Sequence, residues 1–192
     1  MADILNQCLY CLLFQIYKTI GFSLFIGFLL ILLKVNLENT GIKQAIKNLT
    51  CRFIKEKRIR YSFAFYSYLA LLAFYLFSNT SLGRSPLADI LGNWGVVNNN
   101  GEFTAQNFEN VILFIPFFPL FRCSYPELLY HKNSENILFW KVLSNQIFIS
   151  IAVEILQLIF QAGKVQLSDI FYSLIGQLFG FFIYIIICGR DA

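Results

Sequence analysis

EILQLIFQAGKVQLSDIFYSLIGQLFG, residues 154–180, is two apolar segments joined by a short polar turn, with Glu154, Gln157, Gln161, Asp169, Ser173 and Gln177 set into or beside them. The flanking apolar runs make each segment long enough to cross ~30 Å of hydrocarbon, which predicts a fourth span over Val142–Gln161 and a fifth over Asp169–Cys188. In the fourth, Gln146, Ser150, Glu154, Gln157 and Gln161 step by four, four, three and four, so they share one helix face. Asp169, Ser173, Gly176, Gln177 and Gly180 share a face of the fifth, where glycine permits close backbone approach. An ionisable group inside a span is costly and marks a functional site by default.

The rest of the chain fits the same solvent. Only 14% of its 192 residues are charged and 22 are Phe, against roughly 25% charged in a soluble domain. The mean hydropathy of +0.62 agrees. Residues Ile4–Leu33 form a first span, with no basic leader region or small-residue cleavage site to mark a signal peptide. Gln7, Cys11, Gln15, Thr19, Ser23 and Gly27 recur every fourth residue along it, a stripe suited to a neighbouring helix. Lys34–Arg60 is a basic connector: Ile42, Ile46, Leu49 and Phe53 mark one helical face and lysines and arginines fill the rest. That is the pattern of a helix lying on an anionic leaflet. Tyr61–Ser78 is an uncharged second span. The third is shorter. Val111–Phe121 falls below spanning length; a helix begun at an N-cap Thr104 is long enough but draws Glu109 and Asn110 into the bundle and is distorted by Pro116 and Pro119. A re-entrant segment is the alternative. Phe121–Lys141 reads as a second basic connector.

The fold class expected is therefore all-α, a polytopic transmembrane bundle of about five spans, with residues 1–60 as first span plus connector and 61–192 as the main membrane domain. With the N-terminus outside, twelve of the 15 Lys and Arg fall on the cytoplasmic side, only Arg84 and Lys164 outside, and Lys18 within a span. The positive-inside rule then selects N-out and C-in. Basic residues placed beside spans, not on a soluble module, argue against nucleic acid as a partner and for membrane lipids. The five cysteines and His131 form no metal-ligand spacing, and Cys8-x-x-Cys11 lies in an apolar helical run, so neither a metal nor another cofactor is expected.

In that topology Arg84, Glu109, Asn110, Gln157, Gln161, Lys164 and Asp169 approach one outward-facing cavity, with Glu154 as its deepest acid and a Lys18–Glu154 ion pair to neutralise it. Gln146, Ser150, Ser173 and Gln177 read as interhelical glue. These positions also carry a likeness. Arg84 in TSLGRS, Glu109-Asn110 and Pro116 in ENVILFIPFF, E-x-x-Q at Glu154 and Gln157, the turn from Gly163 to Asp169, and then Gly176 and Gly180 follow one another as in the VanZ-like family of teicoplanin-resistance-associated proteins, which the chain resembles from about Tyr61 to Gly180. The departures are Phe118 for the family's Gly, Lys164 for Arg, Gln166 for Glu, Ser168 for the first Asp and Ser173 for Asn. Lys164 keeps the charge but loses the bidentate fork of Arg. The resemblance implies a bacterial envelope protein, some members of which lower lipoglycopeptide susceptibility, and it supplies no reaction. Three functions stay open: binding of a lipid-linked or cell-wall ligand or a glycopeptide from outside, acid–base catalysis on an envelope lipid by Glu154 or Asp169, and small-solute transport.

Overall fold

A computed structural model of the chain describes residues 2–36, 42–78, 90–92, 94–95, 106–129, 135–159 and 166–188. They form helices α1 (Ala2–Asn36), α2 (Ile42–Lys55), α3 (Lys57–Ser78), α4 (Gln106–Phe114), α5 (Phe117–Ser124), α6 (Pro126–Leu129), α7 (Glu135–Ile159) and α8 (Leu167–Cys188), with no strand among the described residues. Three helices are long and apolar enough to cross a membrane, over Leu12–Val35, Lys57–Leu76 and Leu167–Ile187. A shorter apolar run, Leu143–Ile159, lies in α7. Outward-facing Phe22, Phe25, Phe148, Ile159, Phe182 and Ile186 are exposed. Apolar side chains belong there if acyl chains replace water, because a helix already satisfies its own backbone.

Small residues and aromatic rings set the contact of α1 with α3. Ser23 donates back to Thr19 O and is buried. Gly27 lies on the backbone of Ser67, and Phe22 meets Phe74 edge-on at 5.1 Å. Gly27, in the small-residue stripe of α1, therefore packs on α3, as its spacing implies. Contacts run from Phe22–Phe74 to Ile31 and Val35 beside Ile59, so the two helices are antiparallel. Along α3 in reverse, Tyr75 donates to Glu109, Tyr68 to Leu113 O at 2.5 Å, and Phe65 packs on Phe117 at 5.8 Å and on Phe121 at 5.7 Å. The segment α4–α5 thus runs opposite to α3.

The third apolar segment is broken. Pro116 has no N–H to donate, α4 stops at Phe114, and Ile115 N makes only a three-residue turn back to Ile112 O at 3.4 Å. Pro116 itself stays helical (φ −72°, ψ −14°) and α5 starts at once. Against α8, Gly176 faces Val111, Gly180 faces Ile115 and Pro119, and Phe181 meets Phe118 at 5.2 Å. Numbers rise together on both sides, so the chain continues past Pro116 alongside α8 without folding back. Across the α7–α8 hairpin they move oppositely: Ser150 pairs with Ser173, and Glu154 with Gln166. Consequently α1, α4–α5 and α8 share one direction and α3 and α7 take the other.

One end of the bundle is basic. Arg58 forks onto Glu127 at 2.5 and 2.7 Å, Lys34 lies over the Tyr125 ring at 4.8 Å, and Arg60 caps α2 by donating to Phe53 O and Ile54 O. Helix α2 docks here, but on a shifted face. Ala45 and Leu49 are its buried residues, whereas Ile46 is 43% exposed. The small Ala45 lets α2 approach the others, and Ile46 turns away. Element ends also move: α3 starts at Lys57, α7 already at Glu135 inside the expected connector, and α8 at Leu167, while Thr104 and Gln161 lie outside the described residues.

A Cβ at Gly180 would run into the Ile115 carbonyl and the Pro119 ring, whereas one at Gly21 meets nothing. Gly180→Ala is therefore expected to lower thermal stability in detergent by about 1–3 kcal/mol through overpacking. Gly21→Ala is expected to leave it unchanged or raise it by up to about 1 kcal/mol through helix propensity.

Candidate functional site

At the end opposite the basic cluster, side chains from α4, α7 and α8 converge. Asn110 comes from α4, Ser150, Glu154 and Gln157 from α7, and Asp169 and Ser173 from α8; Leu76, Phe114, Val153 and Ile170 close the walls. Asn110, Ser150, Glu154, Gln157 and Ser173 are buried. The positions follow from two helical periods: the α7 stripe and the α8 stripe meet because the hairpin is antiparallel. The cavity between them has a volume of about 20 Å³. One water needs ~10–15 Å³, so the cavity suits a single small polar group and no larger body.

The carboxylates are engaged. Asp169 accepts from Asn110 Nδ2 at 2.9 Å and from Gln106 Nε2 at 3.1 Å, tying α8 to α4. Glu154 accepts the backbone N–H of Gln166 at 3.2 Å, so α7 holds the entry to α8. Glu109 points away from the cavity and accepts from the Tyr75 hydroxyl, tying α4 to α3. It does not line the site with Asn110, contrary to expectation: adjacent helix positions diverge by ~100° and only one of the two can face α8. The expected Lys18–Glu154 pair does not form. Lys18 is exposed, with its ammonium 4.2 Å from the Phe14 ring centre on its own helix. A cation–π contact one turn away holds the ammonium while it stays exposed.

Arg84, Gln161 and Lys164 lie outside the described residues, as does the side chain of Gln146. Ser150 and Ser173 join at 2.8 Å, the expected glue. Gln177 departs from that role: it is fully buried, and neither polar atom of its amide has a partner among the described residues. Sequence reasoning passed over Gln106, although its spacing of four from Asn110 places both on one face. It also passed over residues 90–92 and 94–95, which brace the start of α8. Ile90 O accepts from Leu167 N at 2.9 Å, Gly92 (φ +70°) abuts Ser168, Trp94 packs on Phe171 at 5.4 Å, and Asn107 donates to Gly95 O at 2.5 Å. The left-handed backbone at Gly92 is the signal, since only glycine adopts it without strain.

Among the described residues no cluster of His, Cys, Asp and Glu has the makings of a metal site. No protein-family model, curated protein or solved structure matches the chain.

Double-mutant cycles on thermal unfolding separate the real contacts from the expected one. Asn110→Ala with Asp169→Ala is expected to show coupling of about 0.6–2 kcal/mol, the range of interhelical hydrogen bonds in membranes. Lys18→Gln with Glu154→Gln is expected to be additive within about 0.5 kcal/mol, because the two groups share no partner.

Proposed function

We propose that the chain is a five-pass, VanZ-like protein of the bacterial plasma membrane, N-terminus outside and C-terminus in the cytoplasm, which binds a lipid-linked or cell-wall ligand at its outer end. The alternating helix directions support five crossings, and the basic end of the bundle supports the orientation by the positive-inside rule. The observation that carries the binding role is the convergence of Glu154, Asp169, Asn110 and Gln157 on one cavity at the end away from those positive charges.

A cavity this small takes the tip of a ligand, an ammonium, hydroxyl or amide group, and leaves the body outside. Two carboxylate oxygen pairs beside an amide favour a donor-rich or cationic tip. Arg84 and Lys164, in the outer connections of the sequence, supply cations for the anionic part of such a ligand. Two carboxylates on one cavity also suit acid–base catalysis on an envelope lipid, which turnover of a labelled lipid by the purified protein would reveal.

In cells whose teicoplanin susceptibility depends on this chain, Glu154→Gln and Asp169→Asn are expected to abolish the effect at unchanged protein level, while Ser144→Ala, on an exposed position of α7, preserves it. A fall in protein level parallel to the lost effect would reduce both acids to structural ties.

A further inference from the structure

A second recess lies at the basic end, between the end of α1 and the flank of α2, and is independent of the outer cavity. Its volume is about 310 Å³, and it is lined by Val35, Asn48, Cys51, Arg52, Lys55 and Glu56. That volume reaches the lower bound of small-ligand sites, ~300 Å³. Asn48, Cys51, Arg52 and Lys55 sit at i, i+3, i+4 and i+7, so one face of α2 forms the wall. The docking of Ala45 and Leu49 onto the bundle fixes that face toward α1.

The basic groups around it divide by task. Arg58 is held by Glu127, Arg60 by the last carbonyls of α2, and Lys34 by tyrosine rings. Arg52, which lines the recess, brings its Nε within 3.4 Å of Glu56. Lys55 forms no ion pair among the described residues, and it opens into the recess. On its other sides α2 exposes Ile46 and Ile54, the latter by 72%, apolar surface suited to acyl chains. A cationic recess beside exposed aliphatic groups, one turn from the end of an apolar helix, matches the two parts of a lipid.

We propose that this α1–α2 recess binds the phosphate-bearing head group of an anionic phospholipid, with Arg52 and Lys55 as the cationic ligands and Asn48 as a hydrogen-bond donor. It fixes one lipid at one place, beyond a general attraction of α2 to a charged leaflet.

Native mass spectrometry of the full chain from micelles containing equal phosphatidylglycerol and phosphatidylcholine tests it. One retained phosphatidylglycerol is expected. Its apparent affinity is expected to fall about fivefold in Lys55→Gln and about thirtyfold in Arg52→Gln/Lys55→Gln, at roughly one lost surface charge contact each. Lys43→Gln/Lys47→Gln, which removes the same charge from elsewhere on α2, is expected to leave it unchanged. Equal losses in both double variants would overturn the site in favour of diffuse attraction. Equal retention of phosphatidylcholine would overturn head-group selection, and displacement by millimolar inorganic phosphate would assign the recess to a free anion. If the Arg52 variant does not fold, Lys55→Gln against Lys43→Gln decides alone.

Discussion

Three carboxylates at one end of the bundle hold its helices in sequence. Glu109 binds α4 to α3 through Tyr75, Asp169 binds α8 to α4 through Asn110 and Gln106, and Glu154 binds α7 to the entry of α8 through Gln166 N–H. Apolar side chains do little to draw helices together where the surroundings are equally apolar, so such ties and close packing must supply the specificity. Each is worth only about 1–2 kcal/mol at most, yet each acceptor left alone in hydrocarbon would cost several. The cavity is what remains where two of these ties meet, so the proposed binding and the architecture would use the same atoms.

The broken α4–α5 segment depends on this arrangement. Pro119 cannot donate to Ile115 O, and Gly180 allows that carbonyl to come down onto α8. Gly176 does the same at Val111, and Phe117, Phe121 and Tyr125 pack against Phe65 from the other side. The broken segment is thereby clamped between α3 and α8, with acids at its start and the Arg58–Glu127 fork just beyond its end.

Much of this was legible in the chain. Steps of three and four placed Glu154 and Gln157 on one face of α7 and Asp169 and Ser173 on one face of α8, and the few residues between the two apolar runs implied that those faces meet. Periodicity could not say which neighbour would claim each group. Glu109 went to a tyrosine hydroxyl on α3, Lys18 to an aromatic ring on its own helix, and Ala45 displaced Ile46 from the docked face of α2. Those outcomes depend on local competition between distant residues. Gln177 was read as glue, but its fully buried amide has no described partner, which no spacing rule anticipates.

The account stands on α7 and α8 facing each other through their polar stripes. In a chain freed of its own cysteines, Ser150→Cys with Ser173→Cys places two thiols where hydroxyls now sit 2.8 Å apart. Mild oxidation is expected to join them in nearly every molecule, while Lys18→Cys with Glu154→Cys stays reduced. A failure of the first pair to join, or ready joining of the second, would contradict it.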